Sequence, residues 1–171
     1  MGGFSQGDDH QIDEKMKTLL ILVGKTTDKH FQAGIADYVE RIGHYMPFEL
    51  VTIPELKNTK NLTEEQQKTA EGDLILRQLQ PSDTVVLLDE HGREYRSLEF
   101  ARWMEQKRNT ARRLVFVIGG PYGFSKEVYA RANEQLSLSK MTFSHQMIRL
   151  VFTEQVYRAC TIIKGEPYHH E

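Results

Sequence analysis

Short, continuous apolar runs alternate along the chain with longer segments in which apolar residues recur every three or four positions. Residues 18–23, rich in Leu, Ile and Val, predict a buried strand. Asp28 is placed to cap a helix reaching about residue 45, with Phe31, Ile35, Val39 and Ile42 on one face, and Pro47 ends it. Residues 48–53 predict the next strand, stopped at Pro54, and 57–61 form a polar loop. Thr63-Glu-Glu-Gln66 has capping-box spacing and opens a helix to about residue 80. Residues 84–88 predict a third strand that runs out into a loop over 89–96, after which Ser97 caps a helix through 109. Residues 114–118 predict a fourth strand, broken at Gly119-Gly120, and Ser125 caps a short helix to about 133. Leu136 and Leu138 belong to a fifth, short strand. The longest helix covers 145–164 and is terminated by Gly165 and Pro167. Strands alternate with helices and no hairpin signal intervenes, which predicts an α/β domain around a mostly parallel sheet flanked by helices.

Length and charge narrow this picture. A chain of 171 residues is long enough to bury a sizeable core as one domain. At 39% hydrophobic residues it has the composition of a globular protein, and no apolar run approaches the roughly 20 residues of a spanning helix, so no membrane is expected. The polar, acidic N-terminus does not resemble a signal peptide, and the single cysteine, Cys160, rules out an internal disulfide. Both point to the cytoplasm. Asp8, Asp9, Asp13 and Glu14 against Lys15 alone put three net negative charges on residues 1–15, so the formal charge of −2 becomes +1 once they are set aside. Met16 directly before a buried run reads as a second start, so 1–15 is expected to be a disordered leader or extension and 16–171 a single domain.

In parallel α/β sheets ligands bind beyond the carboxyl ends of the strands. Three consecutive strands end in suggestive loops: Leu88-Asp89, Gly119 to Gly123, and Leu138 to Phe143. If those strands are neighbours, the loops wall one pocket. Gly119 and Gly120 let a ligand lie against bare backbone, Leu88, Leu138, Met141 and Phe143 offer apolar walls to a flat ring, and the backbone of 138–143 can read its polar edge. Commoner nucleotide sites are excluded. No Gly-Lys-Ser/Thr closes a phosphate-binding loop, and Gly119-Gly-Pro-Tyr-Gly123 has the wrong spacing for a dinucleotide fingerprint. The first strand ends in Val23-Gly24-Lys25, without the early glycine loop of Rossmann-type methyltransferases. No Cys or Asp-His cluster with ligand spacing accompanies the terminal His169-His170 pair, so no metal is expected. His30, His44 and His91 are expected at the surface, and Cys160 as a small buried residue of a helix.

These same residues carry a family likeness. Asp89-x-x-Gly92, Phe116-Val-Ile-Gly-Gly-Pro-x-Gly123, Leu136-Ser-Leu-Ser-Lys-Met-Thr-Phe143, His145-Gln-Met-Ile-Arg149, Glu154-Gln-Val-Tyr-Arg-Ala159 and Pro167-Tyr-His169 together resemble the ribosomal RNA large subunit methyltransferase H family of the SPOUT class. The likeness runs from Met16 to the last residue. It implies a trefoil-knotted α/β fold, one of the rare exceptions to unknotted connection. It also implies S-adenosyl-L-methionine as methyl donor and a homodimer with the cofactor near the interface. The substrate it implies is N3 of a pseudouridine in helix 69 of 23S rRNA, methylated in the assembled 70S ribosome. Carried over, cofactor contacts fall on Leu88, Gly119, Leu138, Ser139, Lys140, Met141, Thr142 and Phe143. The catalytic set becomes Arg158, Tyr168, His169 and His170. The family tail usually has Arg or Lys after Tyr-His, where this chain has His170, so either a protonated imidazole near phosphate or Arg158 and its basic neighbours supplies that charge.

Arg158 has two readings: a cation that stabilises the developing anion of the base, or a salt-bridge partner of Glu154 one helical turn back. Arg102, Lys107, Arg108, Arg112 and Arg113 form a local basic run that either touches phosphate or is a solvated helix face. Two other functions use the same pocket: a SPOUT methyltransferase acting on transfer RNA, and a non-catalytic cofactor-binding module.

Overall fold

Alternate residues of the apolar runs face opposite sides of a single five-stranded sheet, whose order is β2-β1-β4-β3-β5 and whose pairings are all parallel. The computed structural model describes residues 17–170, so the expected leader lies outside the described residues. The strands are β1 (Lys17–Val23), β2 (Phe48–Ile53), β3 (Thr84–Glu94), β4 (Arg113–Ile118) and β5 (Glu134–Ser137). The helices are α1 (Lys29–Gly43), α2 (Glu64–Arg77), α3 (Ser97–Thr110), α4 (Lys126–Arg131) and α5 (Met147–Lys164).

Leu20, Leu22, Val86, Leu114 and Phe116 point to one face, where Ile42 of α1, Trp103 and Met104 of α3 and Phe152 and Val156 of α5 cover them. Phe116 and Phe152 meet edge to face with centroids 4.9 Å apart. Cys160 is buried in this layer, and burial pushes its thiol up to about 11, as befits an inert packing residue. Leu19, Ile21, Val85, Leu87, Val115 and Val117 point to the other face, under Ile75 of α2 and Val128 of α4. A sheet covered on both faces is why the strands read as unbroken apolar runs.

Local signals set most boundaries. The Asp28 carboxylate accepts the His30 and Phe31 N–H groups, Thr63 and Gln66 close the capping box, and Ser125 accepts from Val128. Gly165, at φ 75°, ends α5 with its N–H on the Ile162 carbonyl and that of Glu166 on Thr161. Several boundaries differ from the sequence expectation, α1 ending at Gly43 and α4 at Arg131 among them. The helix after Thr63 stops at Arg77. The cap of α3 is Arg96, whose N–H donates to the Glu99 carboxylate at 2.9 Å, and Ser97 is already inside the helix. α5 begins at Met147, because Ser144 accepts the Met147 N–H and holds the preceding turn outside the helix. Leu138 lies just past β5.

The largest difference concerns residues 89–96, expected as a loop. β3 continues to Glu94, with an interruption: both Leu88 and Arg93 oppose Leu136 of β5, so 89–92 loop out between them. Gly92 allows the return. A Cβ there would sit 2.6 Å from the backbone C of Gln135 and N of Leu136, so only glycine lets the two chains close again.

Candidate active site

The strand order makes β4, β3 and β5 neighbours, and their carboxyl ends open into one cavity of about 520 Å³. Leu88, Gly119, Leu138, Ser139, Met141, Thr142 and Phe143 all line it. Lys140, expected with them, is exposed and does not. Met141 is 80% exposed and forms the lip of the cavity rather than a wall. A Cβ on Gly119 would lie 2.9 Å from the ring of buried Phe124, which lines the same cavity.

The looped-out residues of β3 supply polar groups to the cavity. Asp89, nearly buried, accepts the hydroxyl of Tyr129 and, at 2.9 Å, the N–H of His91. Burial and the Asp89 carboxylate push the Tyr129 hydroxyl well above the usual phenol range. Glu90 accepts from Thr142 at 3.2 Å, tying the β3 bulge to the loop after β5. That loop is further shaped by Ser137, which donates to the Ser139 carbonyl, and Ser139, which accepts the Met141 N–H. Among the described residues, Asp89, Glu90 and two histidines are the lining side chains with a carboxylate or imidazole, and no lysine or arginine contributes to it. An apolar cleft with exposed backbone polar groups, two carboxylates and no fixed cation suits a flat heteroaromatic ligand that carries positive charge.

The four expected catalytic residues lie elsewhere in the protomer. Arg158, on the distal half of α5, clusters with Tyr168 and His169 of the tail beyond it, and none of them, nor exposed His170, lines the cavity. Ile148, which does, is ten residues before Arg158, roughly 15 Å along the helix. Arg158 donates to Glu154 through Nε and Nη2, at 3.1 and 2.6 Å, and its Nη1 is 3.0 Å from Nδ1 of His169. Tyr168 donates to the same Glu154 oxygen at 3.1 Å and lies under the guanidinium, 4.9 Å from ring centroid to Cζ. Burial, then hydrogen bonds with Tyr38 and Glu154, raise the Tyr168 hydroxyl above its ordinary value. Glu154 is thus the hub of the group.

Two of the five residues of the expected basic run are engaged in ion pairs. Arg113 holds Asp83 in a two-pronged ion pair at 2.8 and 2.7 Å, and Lys107 pairs with Glu134. Arg102 and Arg112 remain exposed. His30, His44 and His91 are also exposed. Among the described residues there is no group of three or more His, Cys, Asp and Glu able to hold a metal ion, and no helix is long and apolar enough to cross a membrane.

A parallel sheet with its ligand cleft built from three late strand-end loops is matched, over residues 16–169, by the family described as predicted SPOUT methyltransferase, and the chain belongs to that family. Within it, the chain is 64% identical over 157 residues to the ribosomal RNA large subunit methyltransferase H of Bacteroides fragilis, covering 91% of this chain and 100% of that protein. The protein of the same name from Phocaeicola vulgatus is 62% identical over the same shares, and that of Christiangramia forsetii 58%, over 91% and 99%. Among solved structures, the crystal structure of a probable methyltransferase from Bordetella pertussis Tohama I covers 88% of this chain and 96% of its own with a TM-score of 0.50. At 12% identity it supports the fold alone.

Proposed function

We propose that this chain methylates N3 of a pseudouridine in helix 69 of 23S rRNA within the assembled ribosome, with S-adenosyl-L-methionine as donor and as a cytoplasmic homodimer. The observation that carries the reading is the convergence of the Leu88, Gly119 and Leu138–Phe143 loops on one cavity, in a chain whose relatives are named for ribosomal RNA methylation. The lining fits the cofactor: apolar walls for the adenine, backbone groups for its polar edge, and carboxylates without competing cations for a sulfonium. Leu88, Gly119, Leu138, Ser139, Met141, Thr142 and Phe143 would hold it, and Lys140 would contribute only backbone. Bound there, the cofactor supplies an electrophilic methyl group.

The chain's own residues must bring an electron-rich N3 in line with that methyl. N3–H is a weak acid and loses its proton before or during attack. Arg158, oriented by Glu154, stabilises the negative charge left on the base. His169, beside Arg158, accepts the proton, Tyr168 stacks on the base, and His170 meets phosphate. Because these groups stand away from the cavity of their own protomer, a complete centre pairs the cavity of one protomer with the tail of its partner. On this reading the C-terminal segment also forms the trefoil knot of the SPOUT class.

Radiolabelled methyl transfer to 70S particles, 50S subunits, free rRNA and transfer RNA, alongside calorimetry with the cofactor, tests the proposal. Labelling of 70S particles is the expected result. Labelling of transfer RNA alone would move the chain to a different substrate, and binding without turnover would make it a cofactor-binding module.

A further inference from the structure

We infer that Arg149 is a positioning residue for the cofactor cavity: its buried guanidinium ties the loop after β1 to the turn carrying His145 and so fixes the wall formed by residues 138–145. The inference rests on the reading of that cavity as the S-adenosyl-L-methionine site.

Arg149 is the third residue of α5 and is fully buried. Position and burial both oppose a cation. The amino end of a helix carries partial positive charge, and removing a guanidinium from water is costly. Burial accordingly lowers the affinity of Arg149 for its proton, and Glu55 offsets this only in part. What holds it is a set of uncharged oxygens. Nη2 donates to the Val23 carbonyl at 2.7 Å, and Nη1 to the Gly24 carbonyl and the Thr26 hydroxyl, both at 2.9 Å. Nε donates to the His145 carbonyl at 3.0 Å.

These acceptors belong to two segments far apart in sequence. Val23, Gly24 and Thr26 are where β1 ends and turns toward α1, and the pairing of β1 with β4 stops at Leu22, before the Val23 and Gly24 carbonyls. His145 closes the loop that begins at Leu138, and with Ile148 it lines the cavity. Gln146 repeats the connection beside it, accepting the Thr27 N–H at 2.8 Å and donating to the Lys25 carbonyl at 3.1 Å. The other end of the wall is fixed by Ser137 and its middle by Glu90 on Thr142. Arg149 therefore anchors the α5 end of a wall whose backbone must face the ligand. A planar donor fork is suited to three diverging carbonyls, and an ammonium is not.

The test uses full-length protein and titrates S-adenosyl-L-methionine by calorimetry into wild type, Arg149→Met, Arg149→Lys and Ile42→Ala, the last a core variant on α1 remote from the cavity. Folded Arg149→Met is expected to bind about tenfold more weakly or worse, as loss of charge-assisted hydrogen bonds would give. Arg149→Lys should recover only part of the affinity. In methyl transfer, KM for the cofactor should rise while kcat at saturation stays within roughly threefold of wild type. A purely structural role predicts that Arg149 variants and Ile42→Ala, compared at equal loss of Tm, bind alike. Wild-type affinity in a folded Arg149→Met or, if that variant does not fold, in Arg149→Lys would overturn the inference. Wild-type protein without affinity for the cofactor would instead overturn the reading of the cavity itself.

Discussion

Arg158 and Glu154, one turn apart on α5, share a contact in which two guanidinium nitrogens converge on a single carboxylate oxygen, at 2.6 and 3.1 Å. The contact leaves the remaining nitrogen, Nη1, facing His169. The ion pair and the cation of the proposed mechanism are therefore not alternatives: Glu154 aims the guanidinium. Glu154→Gln is expected to lower methyl transfer by about tenfold or more through loss of that orientation. Cofactor affinity should stay near wild type, because no residue of the cluster is among those that line the cavity. A parallel loss of cofactor binding in calorimetry would contradict this arrangement.

Removing residues 168–171 takes away Tyr168, His169 and His170 and leaves every lining residue of the cavity in place. Cofactor binding should be spared and methyl transfer to 70S particles lost. Full activity of the truncated protein would remove the tail from the chemistry.

Gly119→Val drives a branched side chain into the Phe124 ring, where a Cβ alone already sits 2.9 Å away. The expected cost is about 1–3 kcal/mol of stability, as in other overpacked cores, together with loss of cofactor binding as Phe124 is displaced from beside the cavity. Urea unfolding and calorimetry read the two effects separately, and unchanged affinity would contradict the placement.

Gly92→Ala meets backbone rather than a movable side chain. It is expected to part β3 from β5 after the bulge, cost roughly 2 kcal/mol or more, and misplace Asp89 and Glu90. Thermal unfolding should show the loss, and an unchanged Tm would mean that the two strands separate without cost.

Glu71 on α2 is buried beside the Gly120 turn, and desolvation, with Glu55 nearby, raises its carboxyl above the usual range despite a hydrogen bond from Gln67. The folded protein therefore holds this proton more tightly than the unfolded chain. Its stabilising effect is fully present below the ordinary carboxylate range and is lost as pH rises through the folded value. Glu71→Gln should accordingly gain stability relative to wild type as pH increases across that window. Urea midpoints at a series of pH values would show it, and a pH-independent difference would place the carboxylate in water.

Three of the strands were legible because each is an apolar run closed by Gly or Pro: β1 before Gly24, β2 before Pro54 and β4 before Gly119. Two of the cavity loops were legible where an apolar run gives way, at Leu88-Asp89 and at Ile118-Gly119. The continuation of β3 was not. Asp89–Glu94 is polar throughout, and its pairing is decided by the backbone of β5 at Gly92, a contact distant in the chain. Arg113 and Lys107 looked available to phosphate because their partners, Asp83 and Glu134, lie on other elements. Arg158 and Glu154 announced their ion pair by spacing, but how far they stand from the cavity depends on the length of α5. Arg149 had one local signal, a cation at the start of an apolar helix where the helix field disfavours it.

The distance between the cavity and the tail has a genetic consequence. If each centre borrows its tail from the other protomer, two inactive proteins can rescue one another. In a mixed pair, a Gly119→Val protomer with an intact tail and a truncated protomer with an intact cavity assemble one centre bearing both lesions and one bearing neither. Co-expression would then restore methylation to cells in which each allele alone is silent, whereas tails that served their own cavities would leave every mixed pair dead.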